Sequence, residues 1–262
     1  MHFYRKKKKN KMKDLRFKLT VASGLPYVLY AIPKANKYIR NPDKYSYEDC
    51  FELAKEIMTF LRKRAKTSTD VYGLENLPAE GGYLMYSNHQ GRYDAIGILL
   101  SQPKPCTVLW RSDRATQLLV KQVSKLIRAK TIDLDKLLET ARTIHEIEHE
   151  AAAGQRCLIF PEGYYSDNHN NLQEFKDGCF KCALGSKVPV IPIAIYDSYK
   201  SMNTNKLGKV TTQVHYLKPI YSDEYAGLKT TELASLVKSR IQEKLDEIKN
   251  GILPKEKSMK IK

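Results

Sequence analysis

The chain has 262 residues, 42% of them hydrophobic and 28% charged, with a formal net charge of +16 at pH 7. This composition excludes a disordered chain and leaves room for one large α/β domain with an appendage. The excess of positive charge selects anionic partners, whether nucleic acid, an anionic membrane or phosphorylated substrates. The five cysteines, at 50, 106, 157, 179 and 182, are odd in number and lack a framework spacing. They point to reduced thiols in a cytosolic setting.

The N-terminal stretch opens with a basic run, Arg5 to Lys9, extended by Lys11, Lys13, Arg16 and Lys18. Leu19 to Ile32 follows, apolar but interrupted by Gly24 and Pro26. The broken core and the lack of a small-x-small cleavage site argue against a signal peptide, and the run is short for a membrane span. A segment lying on a membrane surface fits better. Tyr27, Leu29 and Tyr30 dip in and the lysines stay with the headgroups.

Ser46 to Lys66 is the clearest helix. Ser46 caps it, Asp49 completes a capping box, and Phe51, Ala54, Met58, Leu61 and Ala65 recur at helical spacing. Arg62, Lys63, Arg64 and Lys66 suit the helix C-terminus and would meet anionic headgroups. The expected division is therefore a basic helical membrane-surface segment over 1–70 and an α/β domain over 71–262.

From Leu74–Pro78 onward, strands are expected at Tyr83–Ser87, Thr107–Trp110, Lys130–Leu134, Cys157–Phe160, Val190–Ile195 and Gln213–Leu217. Helices are expected at Asp94–Ser101, Thr116–Arg128, Lys136–Ala153, Asp177–Gly185 and Thr231–Lys249. Alternation of this kind predicts a mostly parallel sheet flanked by helices. The tail from Lys255 to Lys262 is expected to fray.

Three stretches carry the chemistry. Tyr83 to Tyr86 is an apolar strand ending in Ser87-Asn88-His89, with Asp94 at the next helix start. A histidine held on one ring nitrogen by a carboxylate is suited to general-base work. The second stretch is Phe160-Pro161-Glu162-Gly163, and the third is the β-branched run Val188 to Ile195. With Phe175-Lys176-x-Gly178, this ordered set resembles the glycerolipid acyltransferases of the lysophosphatidate acyltransferase family, over roughly Val71 to Ile220.

The resemblance implies transfer of a fatty acyl group from acyl-CoA or acyl-carrier protein to a hydroxyl of a lysophospholipid, lysophosphatidate first among them. It implies no metal and no cofactor beyond that donor. The enzyme would act as a peripheral or monotopic protein on the cytoplasmic face of an anionic phospholipid membrane. His89 would be the base and Asp94 its orienting carboxylate. Asn88, Gln90 and the backbone near Gly91 are oxyanion candidates, and Arg92, Arg111, Glu162 and Gly163 join Asn88 and Gly91 as substrate-binding residues.

Ser87 lies outside a Gly-x-Ser-x-Gly elbow, so direct attack by the acceptor is simpler than an acyl-enzyme. Two departures stand out. Tyr164-Tyr165 replaces the family's Thr-Arg, and Ile132-Asp-Leu-Asp135 lacks the family's arginine after the preceding strand. The second reading is therefore a catalytically altered member that binds anionic lipid or acylates a different acceptor.

Other motifs carry less. His145-Glu-Ile-Glu-His149 has zinc-protease spacing, but both histidines fall on the flank of the helix's apolar stripe. Cys179-Phe-Lys-Cys182 lacks a redox-domain context and suits close packing of a helix on the sheet. Nucleic-acid binding would rest on charge alone, since no recognition motif accompanies it.

Overall fold

The computed structural model describes residues 15–112, 119–133, 135–252 and 258–261. The Arg5–Lys9 run, Arg114, Leu134 and the expected helix start at 116–118 lie outside them. Three N-terminal helices, α1 (Leu15–Ser23), α2 (Leu25–Arg40) and α3 (Tyr47–Arg64), precede the sheet. Its strands are β1 (Thr67–Tyr72), β2 (Tyr83–Ser87), β3 (Thr107–Arg111), β4 (Lys130–Ile132), β5 (Arg156–Ile159), β6 (Val190–Tyr196), β7 (Val210–Tyr216) and β8 (Met259–Ile261). Between them run α4 (Asp94–Ser101), α5 (Val120–Leu126), α6 (Leu137–Ala152), α7 (Lys181–Ser186), α8 (Tyr199–Met202), α9 (Ser222–Tyr225) and α10 (Thr230–Lys249).

The strand order is β4-β3-β5-β2-β6-β7-β1-β8. All pairs are parallel except β6–β7 and β1–β8. Side chains alternate across the sheet as the two-residue period demands. Tyr83 and Met85 enter the core beneath α2, α3, α4 and α5, with Ile191, Ile193 and Ile195. Leu84 and Tyr86 enter the opposite core, beneath α6, α7 and α10, with Val190 and Ala194. The result is a three-layer α/β/α arrangement.

The structure extends and corrects the expectations at the edges. Strand β1 straddles the division placed at residue 70. It pairs in parallel with β7, which itself begins at Val210, and both starts are threonine-rich. The tail expected to fray instead supplies β8, antiparallel to β1 at Val71↔Met259 and Thr69↔Ile261.

The N-terminal basic residues do not all face outward. The Arg16 guanidinium donates to the carbonyls of Lys206 at 2.9 Å and Gly208 at 2.7 Å, and to that of Ala65. It is buried, pinning α1 to the body of the protein. Arg62, expected among the headgroup-facing cations, is also buried and donates to the Thr67 carbonyl at 3.1 Å. Gly24 and Pro26 do not break the segment into a loop. Gly24 joins α1 to α2, and Pro26 sits in the first turn of α2, where its missing N–H costs nothing. Tyr27 turns inward and stacks on Phe60 with centroids 3.9 Å apart, while Leu29 and Tyr30 remain exposed. The Ser46–Asp49 capping box is formed as expected. Among the described residues, no helix is long and apolar enough to cross a membrane.

Candidate active site

The site forms where β2, β5 and β3 end, at the carboxyl edge of the parallel strands, where open α/β sheets leave a crevice. Asn88 closes β2 against β6. Its side-chain amide imitates a peptide, donating to the Ile195 carbonyl at 3.1 Å and accepting the Ile195 N–H at 2.8 Å. This continues the strand pairing by one step and leaves His89 beyond the last rung.

The loop then turns into α4, and Asp94 at the helix start reaches back under it. Asp94 Oδ2 accepts from the backbone N–H groups of Gln90 at 2.5 Å and Gly91 at 2.8 Å. The same oxygen meets His89 Nδ1 at 2.6 Å. The carboxylate is buried, 1% exposed, and placed where a helix N-terminus favours negative charge. Its partnership puts the Nδ1 proton between the two side chains and leaves Nε2 of the imidazole for proton transfer.

Phe160 stacks on the His89 ring with centroids 4.3 Å apart, and Tyr165 meets it edge-on at 4.7 Å. Two cavities open at His89. One, of about 210 Å³, is apolar and runs between the N-terminal helices and the body, lined by Phe17, Val21, Val28, Met58, Leu99 and Val123. The other, of about 70 Å³, is bordered by Trp110, Arg111, Ile132, Gly163 and Tyr165. Lys176 borders that side too. A Cβ added to Gly163, which sits at φ 73°, would lie 3.4 Å from the Lys176 ammonium. Burial, and then the nearby Arg111, lower the Lys176 pKa.

Glu162 is not on the cavity wall. It is fully buried, and its Oε1 accepts the backbone N–H of His89 at 3.1 Å while Oε2 accepts from the Gln173 amide at 2.5 Å. Burial raises its carboxyl to about 7, with the bonds from Gln173 and His89 pulling the other way. Glu162 therefore supports the His89 backbone, whereas the sequence placed it on the substrate.

The oxyanion candidates need the same correction. The Asn88 amide is spent on Ile195. The Gln90 side chain donates to Asn170 Oδ1 and the Ile195 carbonyl and accepts the Ser198 N–H, and the Gly91 N–H is spent on Asp94. Arg92 lies at the apolar cavity, but its guanidinium donates to the Met202 carbonyl at 3.2 Å and stacks over Phe17 at 4.4 Å. Arg111 and Gly163 do border the smaller cavity beside His89.

Sequence reasoning missed Phe160 as a stacking partner, Gln173 beneath Glu162, and Ser198 against Asp94. Phe160 was at least part of a recognised motif. The other two lie in polar loops with no spacing that announces them. The decoys are elsewhere: His145 and His149 are exposed on α6, and the described residues contain no group of three or more His, Cys, Asp or Glu able to hold a metal. All five cysteines are free, and Cys182 packs in the core.

The acyltransferase family profile matches residues 68–196, which run from β1 to the end of β6 and contain His89, Asp94, Phe160, Glu162 and Tyr165. Residues 68–196 form an acyltransferase-family domain. The chain is 28% identical over 178 residues to 1-acyl-sn-glycerol-3-phosphate acyltransferase alpha of Ovis aries, covering 64% of this chain and 58% of that protein. The chain thus spans a little over half the length of that relative. It is 25% identical over 182 residues to the 1-acyl-sn-glycerol-3-phosphate acyltransferase of Escherichia coli (strain K12), covering 69% of this chain and 74% of that one. The fold of this chain is similar to the crystal structure of the 1-acyl-sn-glycerophosphate (LPA) acyltransferase PlsC from Thermotoga maritima. The TM-score is 0.71 at 17% identity, covering 89% of this chain and 96% of that one.

Proposed function

We propose that the protein moves a fatty acyl group from acyl-CoA or acyl-carrier protein to a hydroxyl of a lysophospholipid, with lysophosphatidate the leading acceptor. The observation that carries this reading is the 2.6 Å contact between His89 Nδ1 and Asp94, placed where an apolar cavity meets a smaller one bordered by Arg111. The acyl chain lies in the first cavity and the acceptor headgroup in the second, beside Arg111 and Lys176. The thioester carbonyl then sits at His89.

The acceptor hydroxyl attacks that carbonyl as His89 Nε2 takes its proton. Asp94 stabilises the imidazolium, as the carboxylate does in a serine-protease triad. Collapse of the tetrahedral intermediate forms the ester and breaks the C–S bond. The leaving thiolate recovers the proton from His89, which returns to its starting state.

The protein works peripherally at the cytoplasmic face of an anionic membrane. Exposed Leu15, Leu19, Leu25, Leu29 and Tyr30 on α1 and α2, beside the apolar cavity, support this. The five free thiols suit that compartment. The test is direct. Purified protein is incubated with labelled acyl-CoA or acyl-carrier protein and a panel of lysophospholipids, and diacyl products are separated. Failure to form a diacyl product with any pair would overturn the reading.

A further inference from the structure

We infer that Ser198 is a positioning residue for the catalytic pair, acting through Asp94. The inference rests on the reading of His89 as the base. Ser198 follows the end of β6, 104 residues from Asp94 in sequence, and its hydroxyl donates to Asp94 Oδ1 at 2.6 Å. It is 3% exposed and borders neither cavity, so it is not placed to accept an acyl group. Its own N–H donates to Gln90 Oε1 at 2.9 Å, which fixes the serine against the loop that carries His89.

The argument is one of distribution over the carboxylate. His89 Nδ1 and two backbone N–H groups all converge on Oδ2. Ser198 is the partner of the other oxygen. A carboxylate held on one oxygen turns about its Cβ–Cγ bond, and its plane, which sets the direction offered to the imidazole, is then loose. A short hydrogen bond to a charged acceptor is among the stronger ones available to a side chain. It fixes the carboxylate plane and keeps a buried anionic oxygen from being left unsatisfied. Asn170 braces the same corner, accepting from Gln90 Nε2 and from the Asp197 N–H.

The test is Ser198→Ala, which removes one atom and requires no repacking. The hydroxyl donates to a charged group, so kcat falls about 10- to 100-fold while KM for donor and acceptor stays unchanged. A second readout does not depend on turnover. The Nδ1 proton of His89, shared with Asp94 and assigned by its loss in His89→Ala, gives a downfield proton resonance that moves or broadens in Ser198→Ala. Unchanged kcat with an unchanged resonance overturns the inference. So does a fall in activity carried by KM with the resonance in place, since that marks general loosening of the site. If the wild type turns over no substrate pair, the proposed function fails, and the resonance still decides whether Ser198 positions the pair.

Discussion

The backbone N–H of His89 donates to Glu162 Oε1 at 3.1 Å, so the residue that would take the proton is carried by a buried carboxyl whose own pKa is raised to about 7. Both of its partners are donors, which favours the ionised form, yet burial opposes that form more strongly. In the folded protein Glu162 holds its proton up to about pH 7, whereas the unfolded chain releases it near 4.5. The folded state therefore binds more protons between these values, and stability falls as pH rises through the window, by up to roughly 3 kcal/mol. Glu162→Gln should flatten this part of the profile. Urea unfolding at intervals from pH 5 to pH 8 checks it, and parallel slopes in the two proteins would refute it.

His89→Ala should abolish acyl transfer and leave the fold intact, because the ring touches Phe160 and Tyr165 at a cavity edge. Asp94→Asn should cost about 10⁴-fold in rate, by analogy with the equivalent change in a serine-protease triad. Steady-state assays beside circular dichroism separate the two effects. Near-normal turnover in folded His89→Ala protein would remove the base from the mechanism.

Lys176 and Arg111 stand where the acceptor headgroup is proposed to bind, and the two arginines that the resemblance implies are replaced in this sequence. A charge-assisted hydrogen bond is worth roughly 1.5–3 kcal/mol. Lys176→Ala should therefore raise KM for lysophosphatidate about tenfold or more, with a smaller effect on acceptors lacking a phosphate monoester. Tyr165→Arg offers a phosphate the planar fork that a tyrosine lacks, and should raise kcat/KM for lysophosphatidate relative to other acceptors. Equal effects on charged and uncharged headgroups would show that these residues do not read the phosphate.

Membrane attachment should separate into two parts. The basic run before Asp14 should contribute about 1 kcal/mol per residue near an anionic surface and be screened by salt. The exposed leucines should contribute an apolar part that salt does not screen. Sedimentation with anionic vesicles should show Leu29→Asn weakening binding at high and low salt alike. Deleting residues before Asp14 should weaken it chiefly at low salt. Full binding by both variants would place the anchor elsewhere.

Much of this was legible in the sequence where apolar pattern and burial coincide. The bounds of β2 and α4 were read correctly because Tyr83–Tyr86 is continuous and Asp94 opens a helix. Strand β1 was not, because two of its three buried residues are threonines. Thr69 is fully buried yet bonds Thr212 at 2.9 Å and the Tyr93 hydroxyl at 2.8 Å, so polarity is satisfied inside and leaves no hydrophobic signal. The same reason hid Arg16 and Arg62, whose charges read as surface but are spent on backbone carbonyls. At the site, sequence pattern named His89 and Asp94, which the structure brings to 2.6 Å. It assigned Asn88, Gln90 and Glu162 to the substrate because residue type alone does not say whether a polar side chain faces a cavity or another strand.

The short strand β8 has a consequence for handling the protein. It covers the outer edge of β1, a polar strand whose free N–H and C=O groups would otherwise invite another chain to pair. Lys260 adds an ion pair to Asp70 at 3.2 Å across that seam. Trimming the chain before Ser258 would leave the edge uncovered far from His89. Loss from solution by concentration-dependent self-association should then appear while each remaining monomer keeps its specific activity.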